Sequence, residues 1–382
     1  MKFLHLGDLH LGRSLGDYDL YDDQKFILNE ILEIIDKKGI QSVLIAGDVY
    51  DKSIPSEAAT RLLDEFLVSL TERNVNTFMI SGNHDSDDRL NFGSRLFASN
   101  QLYISAVFDG ELHKETVSDE YGEIDIWLMP FVKASQVRHF YPDAKIESYD
   151  DAVKTIIENA DIDTGRRNII VAHQFVAGTD SPVLGGSESQ GTQNVGLVEV
   201  IGYKNFDSFD YAALGHIHSP QRVGREEVRY SGSPLKYSLS EVNNEKSVPI
   251  ITFGEKGDVK IVLEPLKPLR DLRHIRGKME ELLSKPENTN DYIYATLTDE
   301  DYINDVMGIF QQTYPYTVKV DYDNSHTREI EKFDISGMVQ NKSVTELISD
   351  FYKTIYGQDI SEEEMAVMRM VAREAGALDE TD

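Results

Sequence analysis

The sequence predicts an α/β protein whose parallel strands are joined by crossover helices, with a second, more antiparallel sheet and a smaller α+β domain after it. Three observations carry this. Short apolar runs at Lys2–Leu6, Ser42–Ala46, Asn76–Ile80, 168–172 and 211–214 read as buried strands. Between the first three, Phe26, Ile27, Ile31, Ile34 and Ile35, and then Leu62, Leu63, Phe66, Leu67 and Leu70, recur at helical spacing. Strand–helix–strand alternation of this kind makes parallel pairs, because a parallel pair needs a crossover.

The remaining elements follow in chain order. Runs at 102–108, 111–117 and 123–129, and again at 228–231, 248–253 and 259–263, look like successive strands with little helix between them, which is the basis for the second sheet. Pro265, Pro268 and the Arg-rich stretch 270–276 mark a boundary. Beyond it, Tyr292–Leu297 reads as a strand, 301–312 as a helix and 316–322 as a strand. In the tail, Val344, Leu347, Ile348, Phe351, Tyr352, Ile355 and Tyr356 fall on one helical stripe. Ser361-Glu362-Glu363-Glu364 has the form of a capping box that opens another helix.

Composition narrows the function classes. At 382 residues, 40% hydrophobic, the chain is globular and long enough for two or three domains. No apolar run reaches the roughly 20 residues that span a bilayer, and the N-terminus turns acidic too soon for a signal peptide. A cytoplasmic place is expected. Cysteine is absent, which excludes disulfides and thiolate ligands. The formal net charge of −29 opposes unassisted binding to a phosphate backbone. Bound divalent cations, or a basic partner, would relieve that opposition.

A polar cluster follows each of the five strand-like runs: Gly7-Asp8-Leu9-His10, Gly47-Asp48-Val49-Tyr50-Asp51, Gly82-Asn83-His84-Asp85, His173, and Gly215-His216-Ile217-His218. Ligands of open α/β sheets bind outside the carboxyl ends of the strands, so the clusters are expected to converge on one edge. Glycine precedes four of them, which suits a tight strand-to-loop turn. Carboxylate, amide oxygen and imidazole are donors for Mn²⁺, Fe²⁺ or Zn²⁺. Seven such groups (Asp8, His10, Asp48, Asn83, His173, His216 and His218) exceed one tetrahedral ion and suit two ions sharing a carboxylate. Such a pair clamps a phosphoryl group and acidifies the water between the ions. His5, His113, His139, His274 and His326 lack this context and are expected to be structural or exposed.

The order Asp-x-His, Gly-Asp-x-x-Asp, Gly-Asn-His-Asp, His, Gly-His-x-His resembles the calcineurin-like metallophosphoesterase signature. The resemblance implies that Asp8, His10 and His218 hold one metal, that Asp48 bridges, and that Asn83, His173 and His216 hold the second. It implies that His84, paired with Asp85, is a catalytic histidine rather than a ligand. A narrower resemblance covers nearly the whole chain. Asp8-Leu9-His10-Leu11-Gly12 with Asp23-Gln24, the stretch 213–221, and Tyr230-Ser231-Gly232-Ser233-Pro234 are similar to the SbcD nuclease subunits, bacterial members of the double-strand-break repair nucleases. This implies a four-layer α/β/β/α sandwich at 1–268, a capping domain at 269–336 and C-terminal helices at 337–382. It also implies two Mn²⁺ ions, and exonuclease and hairpin or single-strand endonuclease activity on DNA. The implied partner is an SbcC-like coiled-coil ATPase, bound by a homodimer within a heterotetramer.

Expected contacts follow from position. Arg13, Ser14, Lys52, Ser53, Arg89 and the stretch 181–190 lie in loops beside the clusters and are candidates for DNA. Leu347, Phe351, Tyr352 and Ile355 are candidates for the partner. The competing reading is a phosphoesterase acting on small-molecule or cyclic-nucleotide phosphodiesters, which the acidic surface suits better.

Overall fold

The computed structural model describes residues 1–178, 182, 200–325, 327, 343–356 and 359–374. The chain divides into two compact units, residues 1–273 and 274–382.

In the first unit the strands, in chain order, are β1 (Lys2–Leu6), β2 (Ser14–Leu15), β3 (Tyr18–Asp19), β4 (Ser42–Ala46), β5 (Asn76–Ile80), β6 (Leu102–Ser105), β7 (His113–Asp119), β8 (Gly122–Met129), β9 (Arg167–His173), β10 (Val176–Ala177), β11 (Ile201–Gly202), β12 (Tyr211–Gly215), β13 (Gln221–Val223), β14 (Arg225–Tyr230), β15 (Ser247–Phe253) and β16 (Val259–Pro265). Two six-stranded sheets dominate, ordered β16-β15-β1-β4-β5-β6 and β13-β14-β12-β9-β8-β7. In the first, β1, β4, β5 and β6 run parallel while β15 and β16 are antiparallel additions. In the second, β8, β9, β12 and β14 run parallel, and β7 and β13 are antiparallel edges.

This corrects two expectations. The antiparallel strands do not form a sheet of their own; each sheet is mixed, with β15 and β16 extending the first. The five strands that carry the polar clusters are divided between the sheets, β1, β4 and β5 in one and β9 and β12 in the other. Strands buried on both faces give the same apolar run in either sheet, so the sequence pattern does not separate them.

Side chains alternate across each strand. Phe3, Leu44, Ala46, Phe78 and Ile80 from the first sheet meet Ile124, Ile126, Leu128, Ile169, Val171, Tyr211 and Ala213 from the second in one buried core. Trp127, Met129, Ile170, Ala172, Ala212 and Leu214 point the other way, into a core with Val137, Val153 and Ile156. Those last three come from the helices Ala134–Phe140 and Tyr149–Asn159. The outer residues of the first sheet, including Leu4, Leu6, Val43, Ile45 and Met79, are equally buried. On this side lie the helices α1 (Tyr21–Lys38) and α2 (Glu57–Glu72), which pack on each other, with α2 against β5. The result is helix, sheet, sheet, helix, the expected four layers. Each fully buried Leu, Ile or Phe contributes about 1.5–3 kcal/mol, so an Ile31→Ala change in the middle of α1 opens a cavity costing about 2–5 kcal/mol.

The helix ends are chemically marked. Ser56 caps α2 by accepting the Ala59 N–H at 3.2 Å. Gly39 ends α1 in the left-handed region at φ 62°, which glycine adopts without a Cβ clash. Phe26, placed on the α1 stripe by its spacing, is instead 42% exposed.

The second unit has a three-stranded sheet, ordered β17 (Leu272–Gly277), β18 (Tyr292–Leu297), β19 (Thr317–Tyr322). Ile293, Ala295, Leu297, Phe310 and Tyr314 form its core. The helix expected at 301–312 begins later, at Val306, behind Asp305 in the left-handed region at φ 52°. The strand β17 and the helix Met279–Ser284 lie where only an Arg-rich boundary, and no element, was expected. The tail forms the helices Val344–Tyr356 and Glu362–Glu374. The Ser361 capping box is present: the Ser361 Oγ accepts the Glu364 N–H at 3.3 Å, and Glu364 Oε2 accepts the Ser361 N–H at 3.0 Å.

Candidate metal centre

All five polar clusters meet at one rim of the first unit. The first two are laced together by main-chain bonds, Asp8 N to Gly47 O at 3.1 Å and His10 N to Asp48 O at 2.9 Å. Gln24 in α1 stiffens the first loop, donating to His10 O at 2.8 Å and accepting the Gly12 N–H at 2.9 Å. The turns are unusual in where their strain falls. Asp8, His10, Asp48 and His216 take positive φ values of 53°, 43°, 47° and 99°. Each such residue costs on the order of 1–3 kcal/mol, sustained because the surroundings over-determine it. The glycines before Asn83 and His216 answer a different need, close approach. A Cβ on Gly82 would lie 2.1 Å from Asp48 Oδ1, and one on Gly215 would lie 1.9 Å from Ala46 O. The expectation that these glycines serve a tight turn is therefore corrected: Asp48 and the main chain at the end of β4 leave no room for a Cβ there.

The seven candidate ligands converge. Asp8, His10 and His218 offer atoms that lie within 4.8 Å of one another, and so do Asp8, Asp48 and His173. His10 Nε2 faces His218 Nε2 at 3.1 Å. Asp48 Oδ2 lies 3.3 Å from His173 Nε2 and 3.6 Å from His10 Nε2, which joins the two groups. Asn83 Oδ1 lies 3.0 Å from both His173 Nε2 and His216 Nδ1. The Asp8 carboxylate also accepts the His216 N–H at 2.9 Å.

Electrostatics show that this rim calls for positive charge. Burial alone would lower His173, but the Asp48 carboxylate beside it raises the imidazole to about 9. Burial likewise pushes Asp48 up, yet His173 and His10 hold it well below the usual carboxylate range. A proton on His173 thus sits where a cation would. His216 is driven down to about 3 by burial and by the neighbouring His173. His10 is lowered, by burial first. The donor set is hard oxygen and imidazole nitrogen, turned inward and mostly buried, and it fits divalent cations.

The pairing of His84 with Asp85 is corrected. His84 Nδ1 lies 3.0 Å from the main-chain oxygen of Asp51, and its N–H is donated to Asp48 Oδ1 at 2.9 Å. Asp85 instead accepts main-chain N–H groups from Gly82, Tyr50 and Val49 at 2.9, 2.9 and 3.1 Å. Burial and the nearby Asp48 raise its carboxyl to about 6. Asp85 therefore ties the third loop to the second.

Among the DNA candidates, Ser14, Lys52, Ser53 and Arg89 are exposed. Arg13 is engaged inward, 2.9 Å from Asp51 Oδ1 and over the Tyr237 ring at 5.4 Å. Of the stretch 181–190, all but Pro182 lies outside the described residues. In the tail, Leu347 and Tyr352 are half-buried, and Tyr352 donates to Glu364 Oε1 at 2.6 Å. The side chains of Phe351 and Ile355, and all of His326, lie outside the described residues. His5 is buried against the Tyr211 hydroxyl at 3.0 Å, as a structural histidine should be.

Three groups at the centre escaped the sequence reading as participants. Asp51 Oδ1 lies 3.5 Å from His10 Nδ1, and Glu241 Oε1 lies 3.3 Å from His218 Nδ1. Lys246 lies 2.6 Å from Glu241. Asp51 had a signal, its place in the second cluster. Glu241 and Lys246 had none, since 235–246 has neither periodicity nor motif.

A double-sheet core with such donors at its rim defines a class, the metal-dependent phosphoesterases. Residues 1–220 match the family model described as calcineurin-like phosphoesterase, and residues 268–356 match that described as the type 5 capsule protein repressor C-terminal domain. Over 376 residues the chain is 34% identical to the SbcD subunit of the nuclease SbcCD from Staphylococcus epidermidis, covering 95% of each. A solved dimetal phosphatase from Danio rerio aligns with TM-score 0.42 and 12% identity, over 70% of this chain and 96% of that one. The chain belongs to the calcineurin-like phosphoesterase family and, within it, to the SbcD subunits. Among the described residues, no helix is long and apolar enough to cross a membrane.

Proposed function

We propose that this chain is the nuclease subunit of an SbcCD-like complex, hydrolysing phosphodiester bonds in DNA with two divalent cations, read as Mn²⁺. The observation that carries the proposal is the junction at Asp48, whose carboxylate reaches His10 on one side and His173 on the other. Asp8, His10 and His218 would hold one ion and Asn83, His173 and His216 the other, with the Asp48 carboxylate within reach of both sets. Bound there, a cation pair would supply charge for a phosphoryl group and a more acidic water.

The protein's own groups do the rest. His84 stands exposed at the rim with Nδ1 occupied by the Asp51 oxygen. Its Nε2 is thereby turned outward, where an imidazolium N–H can be given to a phosphoryl or leaving oxygen. Asp85 is a positioning residue, holding the loop that carries Asn83 and His84. Lys52, Ser53, Ser14 and Arg89 line the approach and contact the DNA backbone, with Arg13 committed mainly to Asp51. Residues 1–268 perform the chemistry, and 269–336 form a separate capping-type domain. Residues 337–382, with Leu347, Phe351, Tyr352 and Ile355, dock the SbcC-like coiled-coil ATPase. A homodimer of this chain in a heterotetramer, in the cytoplasm near the nucleoid, completes the reading. The partner also supplies the cationic surface that a chain of net charge −29 lacks.

The test is a digest of linear duplex and hairpin DNA with the partner ATPase, ATP and Mn²⁺, beside an aryl bis-ester, an aryl monoester and a cyclic nucleotide. Duplex shortening and hairpin opening are expected. Intact DNA with rapid turnover of the cyclic nucleotide would instead establish the small-molecule phosphodiesterase.

A further inference from the structure

We infer that Glu241 is a positioning residue of the metal centre: seated on the buried ammonium of Lys246, its carboxylate fixes the His218 ring in the orientation that turns Nε2 toward His10 and Asp8. The inference rests on the two-cation reading above and adds to it the group that sets one ligand.

The Glu241 side chain is wholly buried, between β14 and β15 and beyond the 230–234 motif. Its Oε1 lies 3.3 Å from His218 Nδ1 and accepts from Ser238 Oγ at 3.1 Å. Its Oε2 accepts from Lys246 Nζ at 2.6 Å. Lys246 also donates to the main-chain oxygen of His218 and to Ser233 Oγ, each at 2.8 Å. The ammonium therefore grips the backbone of His218 while, through Glu241, the pair grips its ring. An ionised carboxylate only accepts hydrogen bonds, so Nδ1 must carry the proton and Nε2 must present its lone pair. That lone pair faces His10 Nε2 at 3.1 Å. A carboxylate behind an imidazole ligand both orients the ring and makes it a stronger donor.

A competing explanation gives the Glu241–Lys246 pair a purely structural role, holding the loop to the β12 exit. Breaking one partner of a buried pair is destabilising, whereas replacing both by apolar groups of similar size is often neutral. That difference separates the two explanations. Two variants are compared with the unaltered chain: Glu241→Met with Lys246→Met, and Glu241→Gln with Lys246→Met. Both lack the buried charges, but only the second keeps an oxygen that can accept from Nδ1.

The readouts are thermal melting, Mn²⁺ titration of the metal-free chain, and the ¹⁵N tautomer of His218 in that same metal-free chain. The Met/Met variant is expected to melt near the unaltered chain yet bind one of its two ions about ten- to a hundredfold more weakly. The Gln/Met variant should recover much of that loss. Met/Met binding both ions at full affinity overturns the inference. The ¹⁵N measurement needs no variant to fold: a proton on Nδ1 supports it, and a proton on Nε2 overturns it. If the unaltered chain bound no Mn²⁺ at all, the two-cation reading would fail, and the tautomer would still report on Glu241.

Discussion

The two halves of the metal centre are built from the same residue types but braced differently. His10 and His218 are both buried, and each ring has a carboxylate behind it, Asp51 at 3.5 Å and Glu241 at 3.3 Å. Around His173 and His216 the brace is lighter. His173 Nδ1 donates to the Ala46 main-chain oxygen at 2.8 Å, and Asn83, which joins the two rings, is exposed. The first half places an acid behind each ring, hydrogen-bonded at His218 and only close at His10, while the second relies on sheet backbone and lies nearer solvent. The second ion is therefore expected to exchange faster than the first.

The largest effect should come from removing what the halves share. Asp48→Ala is expected to abolish binding of both ions and all hydrolysis, read by metal analysis and DNA digestion. Retention of one tight ion would show that the halves are independent. Next comes His84→Gln, at the residue proposed to be catalytic and not a ligand. It should lower kcat by about 10²–10⁴-fold with two ions still bound; a matching loss of metal would make His84 a ligand after all.

A pH titration sharpens the contrast further. In the metal-free protein His173 holds its proton to about 9, so an ion entering the second half must displace it. Affinity there should rise about tenfold per pH unit up to that point. In the first half His10 should add no such climb above about pH 6.5, because burial lowers it. Two parallel titration slopes in Mn²⁺ calorimetry would remove the distinction.

The smallest effect concerns the support beneath the first half. His5 is buried and its imidazole is pushed down to about 3 by burial and then by Arg229. The unfolded chain takes up that proton below about 6.5, whereas the folded protein does not until far lower. Stability is therefore present above 6.5 and is lost as pH falls toward 3, at up to about 1.4 kcal/mol per pH unit. His5→Gln should flatten the decline of metal-free stability by about that slope in denaturant titrations; an unchanged slope would assign the acid sensitivity elsewhere.

Much of this was legible because strand ends leave a local trace. β1, β4 and β5 were bounded to the residue, and each cluster follows its strand directly. What was not legible depends on packing between distant segments. Whether β9 and β12 belong with β1 or in a second sheet is a matter of partner choice, and a doubly buried strand reads alike in both. Gly82 and Gly215 look like turn glycines, but the reason for them is Asp48 Oδ1 or Ala46 O lying 1.9–2.1 Å from an imagined Cβ. Asp85 sits beside His84 in sequence, yet its carboxylate turns to the backbone of Val49 and Tyr50. Glu241 and Lys246 carry no sequence signal, and only folding brings them under His218.

The most direct measurement is electron paramagnetic resonance of the metal-free protein titrated with Mn²⁺. Two equivalents should bind, and the second should convert an isolated-ion spectrum into that of an exchange-coupled pair, as a shared Asp48 carboxylate requires. A single equivalent, or two ions that remain magnetically isolated, would contradict the account.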